Sequence, residues 1–446
     1  MNKPLVILAY PKINHEKNYV YFWMPFSILA IAKVLIDEDI ADVVLFDGNQ
    51  QDLAAWKQLL DKCSDQAIFI GLSIMTGGGQ IGNALEMAKI AKERKNCPPL
   101  VFGGPHVNVL PDQTLEHPLV DAVLQGVGQT SIPALVRALT GCLPLKDVPG
   151  LRMKVGNSRL QGPPNSPRSL KLGGYPWHLL DVQKYVRDDP TISPRTLNYV
   201  SSQGCIYKCQ FCYELTYQRK YSKMSAELML NDIEDLKSRY DISGVKFYDA
   251  DWFVDLNRAT AFSEGLLERN LDIAWAASIN PNDILRARRV QPQLMKSLAE
   301  SHCTRLLMGV ESGSNRVLEE IVKKEVTRTQ LLDVAQEIAD QGILGSYTFI
   351  IGFPGETQQE QEETLSLIEE LWNLNPSPET RVHLFAPYPG TPLFEAAIQQ
   401  GFKAPSHLEA WSSYDYYDSQ TPWTTSEMVK AASSFTKMRL SPSKIA

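Results

Sequence analysis

The chain has 446 residues, with 44 Lys and Arg against 51 Asp and Glu, and a formal charge of −7. That length is enough for two or three domains with a core in each, and 44% apolar with 21% charged residues excludes a disordered chain. The mild acidity gives no general reason to expect nucleic acid or an anionic membrane as partner, and no stretch approaches the ~20 apolar residues of a membrane span.

The N-terminus, MNKPLVILAYPKINHEKN, carries one short apolar run before Pro11 and Lys12 and no small-residue cleavage site. It reads as a first strand, not as a secretion signal, so a soluble cytoplasmic protein is expected. Strands follow at 4–10, 41–47, 67–75, 99–104 and 120–126, with helical patterns near 24–37, 51–62, 80–92 and 130–140. Five β–α units with buried-looking strands indicate a doubly wound, Rossmann-like parallel sheet over residues 1–142. Residues 143–195, rich in Pro, Gly and Ser in GPPNSPRSLKLGGYP and DDPTISPR, read as a linker or wrapping segment.

From about 196 to 395 the alternation resumes. Strands are expected at 197–202, 244–251, 272–278, 305–312, 345–353 and 380–387. Helices are expected near 226–240, 257–269, 292–301, 327–341 and 357–373. Six βα units make a partial barrel or a second doubly wound sheet, and in either case chemistry collects at the strand C-termini. Residues 396–446, with Trp411, Tyr414, Tyr416, Tyr417 and Trp423, read as a mostly helical cap.

Seven cysteines are too few and too odd for a disulfide framework. Cys63, Cys97, Cys142 and Cys303 are scattered, whereas SSQGCIYKCQFCYE puts Cys205, Cys209 and Cys212 on one loop after a strand, spaced C-x3-C-x2-C. Three thiolates there suit a soft metal or an iron–sulfur cluster. A structural zinc needs a fourth ligand, and no Cys or His lies nearby in sequence to supply it. A [4Fe–4S] cluster on three cysteines keeps one iron open.

The spacing, with Phe211 just before the last cysteine, resembles the radical S-adenosylmethionine (SAM) enzymes, in which this loop follows the first strand of a partial (β/α)6 barrel. The resemblance extends downstream. GVKFYDADWF falls where the family binds the SAM amino group, with Tyr248, Asp249 and Asp251 in place of the usual Gly-Gly-Glu. LLMGVESGSNRVLEEIVKK is similar to the segment that contacts ribose and carboxylate, which implies Glu311 as acceptor and Ser312 as donor. FIIGFPGET resembles the strand end against which adenine packs, with Gly352 and Gly355 permitting close approach. FAPYPGTPLFE is similar to the sixth strand end, although its prolines also serve as plain loop stiffeners.

In the N-terminal half, Gly77, Gly79 and Gly82 form a G-x-G-x-x-G after a strand and before a helix. It follows the third strand, not the first, and no acidic residue stands about 20 positions on, which weighs against a dinucleotide. GLSIMTGGGQI, VFGGPHVNVLPDQTL and VDAVLQGVGQTSIPALVRAL together resemble the cobalamin-binding domain of class B radical SAM enzymes. The resemblance implies cobalamin contacts at Ser73, Met75, Thr76, Gly103, Gly104, His106 and Gly126. No D-x-H-x-x-G occurs, so the implied mode leaves histidine off cobalt, with Met75 or Thr76 near the lower face and His106 packing a loop or the nucleotide tail. Val127 and Gln129 replace the acids usual after the fifth strand, and YVYFWMPF (19–26) is a candidate corrin wall or ordinary core.

The implied function is a cobalamin-dependent radical SAM methyltransferase with three cofactors, a [4Fe–4S] cluster, SAM and cobalamin. The cluster would reductively cleave SAM to a 5′-deoxyadenosyl radical, and methylcobalamin would methylate an unactivated carbon of a small, natural-product type molecule. The implied partners are that substrate and an external one-electron reductant such as flavodoxin or ferredoxin, with no nucleic acid and no membrane. A second reading keeps the radical chemistry for a cyclisation, dehydration or rearrangement without methyl transfer. A third is a non-catalytic metal- or nucleotide-binding protein.

Overall fold

Short apolar runs separated by amphipathic stretches pair side by side as parallel strands, because helices cover both faces of the resulting sheet. The computed structural model describes residues 3–13, 23–165, 170–217, 221–414 and 421–439. The chain divides into two compact units. The first comprises Met1–Leu170, Gly174–Asp181 and Lys403–Tyr416, and the second comprises Lys171–Gly173, Val182–Phe402 and Tyr417–Ala446.

The first unit holds β1 (Leu5–Tyr10), β2 (Asp42–Asp47), β3 (Ala67–Ser73), β4 (Leu100–Gly103) and β5 (Ala122–Leu124), all parallel and ordered β2-β1-β3-β4-β5. The order reverses between β1 and β3, which opens a crevice beyond the strand C-termini in this kind of sheet. Trp56, fully buried on the helix Leu53–Cys63, stands 4.9 Å from the Phe46 ring and donates to the Met87 carbonyl at 3.0 Å, locking helices and sheet together. The linker expected over 143–195 is a correction. β6 (Leu151–Val155) and β7 (Ser158–Gln161) form an antiparallel hairpin on β5 and extend this sheet. Gly156, at φ +55°, turns the hairpin, and the unpaired edge of β5 supplies the ladder that the flanking prolines obscure in sequence.

The second unit is built on β8 (Arg187–Asp189), β9 (Ser193–Tyr199), β12 (Gly244–Phe247), β13 (Ala274–Ile279), β14 (Cys303–Glu311), β15 (Leu344–Ile351) and β16 (Glu379–Leu384), with β10 (Ser202–Gln203) and β11 (Ser222–Lys223) as a separate short ladder. The sheet runs β16-β15-β14-β13-β12-β9-β8, with six parallel strands and only β8 antiparallel. β16 and β8 are its two ends, so the barrel is partial, as expected. Tyr347, Phe349 and Ile351 are buried on one face of β15, while Thr348 and Ile350 on the other are only half-buried. Phe247, Trp252, Phe262 and Trp275 make an aromatic core, with ring centroids 5.2–6.2 Å apart. Capping boxes at Thr327–Gln330 and Thr357–Glu360 start the helices Arg328–Asp340 and Gln358–Leu371.

All eleven expected parallel strands are present. A helix at Pro281–Val290 and a π-helical turn at Val317–Val322 were not expected. The expected cap resolves into a 3₁₀ segment, Leu408–Ser413, in the first unit and the helix Ser426–Ser434 in the second. Tyr19–Phe22, Tyr416 and Tyr417, singled out in the sequence, lie outside the described residues. No helix of the described residues is long and apolar enough to cross a membrane.

Candidate functional site

The cysteine loop leaves β9 at its C-terminal end and is tied down before its first thiol. Asp249, fully enclosed after β12, accepts from Ser201 N at 2.8 Å, Ser201 Oγ at 2.7 Å and Ser202 Oγ at 2.6 Å. The buried Arg258 guanidinium lies 3.7 Å away and stacks over Trp252 at 4.9 Å. Both carboxylate oxygens of Asp249 are therefore taken by the fold. It anchors the loop, a correction to its expected contact with SAM.

Beyond Gly204, at φ +91°, come Cys205, Cys209 and Cys212, all half-buried. Cys212 N donates to Cys209 O at 3.0 Å, Gln210 N to Val322 O at 3.0 Å and Leu393 N to Gln210 O at 3.3 Å. The loop is thus held to the π-helical turn and to the segment after β16. Burial raises all three thiols, Cys212 to about 12, while the Lys324 ammonium opposes that rise at Cys209. Buried thiols of this kind ionise only against a metal centre. Among the described residues no three His, Cys, Asp or Glu side chains sit close enough to hold a single ion. A four-iron cube attaches each of three thiolates to a different iron, whereas a zinc cage needs a fourth ligand, so three thiols on one loop suit a cluster.

Around the loop the structure gathers most of the other expected residues. Phe211 lies 5.9 Å from Phe353, which lies 5.5 Å from Phe385. Gly352, at φ +86°, donates its N–H to Glu356 Oε2, and its carbonyl accepts from Trp423 Nε1 at 2.9 Å. Burial raises Glu356 to about 7, and its Oε1 is buried without a partner. The Tyr248 ring, half-buried, sits 5.1 Å from Lys246 Nζ. Asp251 is buried, lies 3.9 Å from Cys205 Sγ, and is raised by burial first and by Asp283 next. Asp283 in turn accepts from Tyr207 Oη at 2.8 Å and Arg286 Nη2 at 3.0 Å. Glu311, at φ +70°, pairs with Lys324 at 3.2 Å.

Ser312 departs from expectation. Fully buried, its Oγ meets Thr364 Oγ1 and Ser314 N, each at 3.1 Å, so its hydroxyl closes a turn. Lys324, Asp283, Tyr207 and Glu356 escaped the sequence reading. The Asn280–Asp283 capping box is a local signal for one of them, and Lys324 has none, since it sits in an ordinary charged run.

In the first unit Gly77, Gly78 and Gly79 adopt φ +92°, +63° and +65° after β3, a path open to glycine alone without strain. Gln80, buried, accepts from Met75 N at 2.8 Å and donates to Pro11 O at 2.9 Å, tying the ends of β1 and β3 together. Gly104 has φ +97°, and a Cβ there would stand 2.6 Å from Ile74 O and 3.0 Å from Ser73 Oγ. Gly126, at φ +98°, donates to Asn108 Oδ1 at 2.7 Å. Thr76 Oγ1 and His106 Nδ1 are 2.8 Å apart, and both residues are fully enclosed. Burial lowers His106 to about 3, and its ring lies 5.6 Å from Trp411. The neutral His106 thus packs the loop, one of its two expected roles. Thr76 is enclosed with it, whereas Ser73, Met75, Gly103 and Gly104 at the strand ends are half-buried. Backbone without side chains at the ends of β3, β4 and β5 fits a large flat ligand.

Residues 17–136 match the B12 binding domain, and residues 199–368 match the radical SAM superfamily. The chain is 28% identical over 398 residues to an uncharacterised methyltransferase, PH0819, of Pyrococcus horikoshii, covering 88% of this chain and 82% of that one. It is 25% identical over 380 residues to the anaerobic magnesium-protoporphyrin IX monomethyl ester cyclase of Rubrivivax gelatinosus, covering 84% and 66%. The fold is like that of the radical SAM methyltransferase TsrM of Kitasatospora setae, solved with cobalamin and a [4Fe–4S] cluster, at TM-score 0.69 and 17% identity over 89% of this chain and 75% of that one. With a B12-binding domain ahead of a radical SAM domain, the protein belongs to the cobalamin-binding radical SAM family of enzymes, whose cofactors are a [4Fe–4S] cluster, SAM and cobalamin.

Proposed function

We propose that the protein is a methyltransferase that adds a methyl group to an unactivated carbon of a small molecule. The observation that carries this is the pairing, in one chain, of a three-cysteine loop with a B12-binding domain, in a sequence related along most of its length to a methyltransferase. When bound, cluster and SAM supply the one-electron chemistry and cobalamin the methyl carrier.

The chain's own residues hold and orient these groups. Cys205, Cys209 and Cys212 grip the cluster. Phe211, half-buried and backed by the enclosed Phe353 and Gly352, offers a flat apolar surface to adenine. Glu311 accepts from a ribose hydroxyl, while Tyr248 and Asp251 border the amino end of SAM. Gly103, Gly104 and Gly126 would let the backbone approach the corrin and its tail, with Ser73 as a hydroxyl donor and Met75 beside the ring. The unit of β1–β7 takes the cobalamin and the unit of β8–β16 takes the cluster and SAM. The electron comes from an external carrier of the flavodoxin or ferredoxin class. Free thiols throughout, among the described residues, suit a reducing cytoplasm.

The test is anaerobic purification and iron–sulfur reconstitution with hydroxocobalamin, followed by desalting, a visible spectrum and iron quantification. Cluster with stoichiometric corrin is expected, and methyl-labelled SAM should then pass label to substrate. Cluster without corrin would favour a radical cyclisation, the reading that the cyclase relative supports. Absence of both chromophores would refute the enzyme.

A further inference from the structure

A buried charge pair stands against the cysteine loop. The side chains of Lys324 and Glu311 are only 4% and 9% exposed, and Nζ donates to Oε1 at 3.2 Å. Gly309 makes room for it, since a Cβ there would stand 2.2 Å from Glu311 Oε1 and 3.6 Å from Lys324 Nζ. The backbone that presents the pair is unusual at several points. Glu311, Lys323 and Glu325 hold φ +70°, +60° and +56°, a region that non-glycine residues occupy at a cost. The π-helical turn Val317–Val322 ends two residues before Lys324. Val322 O accepts from Gln210 N at 3.0 Å, beside Cys209, and Lys324 O accepts from Asn282 Nδ2 at 2.9 Å.

Burying two charges is expensive, and apolar residues would fill the same space more cheaply. Gln210, next to Cys209, holds the backbone two residues before Lys324, so the pair is fixed beside the loop. Its two charges act on an added electron in opposite senses. Reduction adds one negative charge to the cluster, and a nearby buried cation stabilises that charge while a nearby buried anion opposes it.

We propose that the Lys324–Glu311 pair sets the reduction potential of the cluster held by Cys205, Cys209 and Cys212, with Lys324 raising it and Glu311 lowering it. The inference rests on the cluster assignment above. The step is a single electron passing from a flavodoxin- or ferredoxin-class donor, which is oxidised by one electron, to the cluster, with no bond made or broken. Both residues act through their field and are positioning residues in this role.

The test is a redox titration of the reconstituted full chain without SAM, followed by electron paramagnetic resonance. Glu311→Gln should raise the midpoint and Lys324→Met should lower it, each by about tenfold in the reduction equilibrium, which is about 59 mV for one electron. Lys324→Arg should stay near wild type, and the Lys324→Met/Glu311→Gln double variant should move back toward it. A merely structural pair would not give shifts of opposite sign. Shifts of the same sign, or a Glu311→Gln midpoint equal to wild type, would overturn the proposal. If Lys324→Met takes up no iron, Glu311→Gln decides alone. A wild-type chain that takes up no cluster sinks the enzyme reading itself, whereas a loaded chain with unmoved midpoints sinks only this inference.

Discussion

Seven cysteines serve two different ends in this chain. Cys303 is buried in β14, where a thiol behaves as a small hydrophobe, while Cys205, Cys209 and Cys212 project from a stitched loop. Cys209→Ala should therefore reduce iron per chain after reconstitution to a small fraction of wild type, and Cys303→Ala should leave it unchanged. Iron quantification on both proteins checks this. The loop cysteines were legible because their spacing is contiguous. Asp249 and Lys324 were not, because their roles depend on Arg258, Ser201 and Glu311, brought to them by folding. Asp249 looked like a ligand-binding acid at a strand end and proved to be an anchor. Lys324 sits in an ordinary charged run and is buried.

At the scale of the element, the turn after β15 shows how strand ends are turned into sites. Glu356 folds back onto Gly352 N and Phe353 N, which satisfies both amides and encloses the carboxyl. Burial raises Glu356 from the ordinary carboxylate range to about 7. A carboxyl raised on folding binds more protons in the native state, so its contribution to stability is intact below its unfolded value near 4.5 and is lost as pH rises toward 7. Thermal unfolding between pH 5 and 8 should show wild type losing stability relative to Glu356→Gln as pH increases, since glutamine keeps an acceptor for Gly352 and carries no charge. A pH-independent difference would remove this role. The strands themselves were read from apolar runs. The helix Pro281–Val290 escaped because it has few apolar residues to mark its buried face, although its Asn280–Asp283 box was present.

At the scale of the whole molecule, position along the chain and membership of a unit part company. Trp411 lies beyond the last strand of the second unit, yet it is 1% exposed in the first, against His106, with Nε1 donating to Gln113 Oε1 at 2.7 Å. Glu409 pairs with His117 at 2.6 Å in the same unit. Trp411→Ala should cost the first unit about 3–5 kcal/mol, as large buried aromatics do, and hydroxocobalamin uptake should fall with it. Denaturant unfolding measures the first effect and corrin absorption after desalting the second. Unchanged stability would show that the late segment is dispensable.

The sequence by itself determined the two parallel α/β sheets, their strands, the cysteine loop and the family, because each is written in local periodicity or in contiguous spacing. Tertiary structure alone decided that the expected linker adds a hairpin to the first sheet, that a segment near residue 410 completes the first unit, and which acids bind the fold and which border the site. Those outcomes depend on partners tens to hundreds of residues away. Their physical content is desolvation and pairing, which the fold creates and no single stretch of sequence contains.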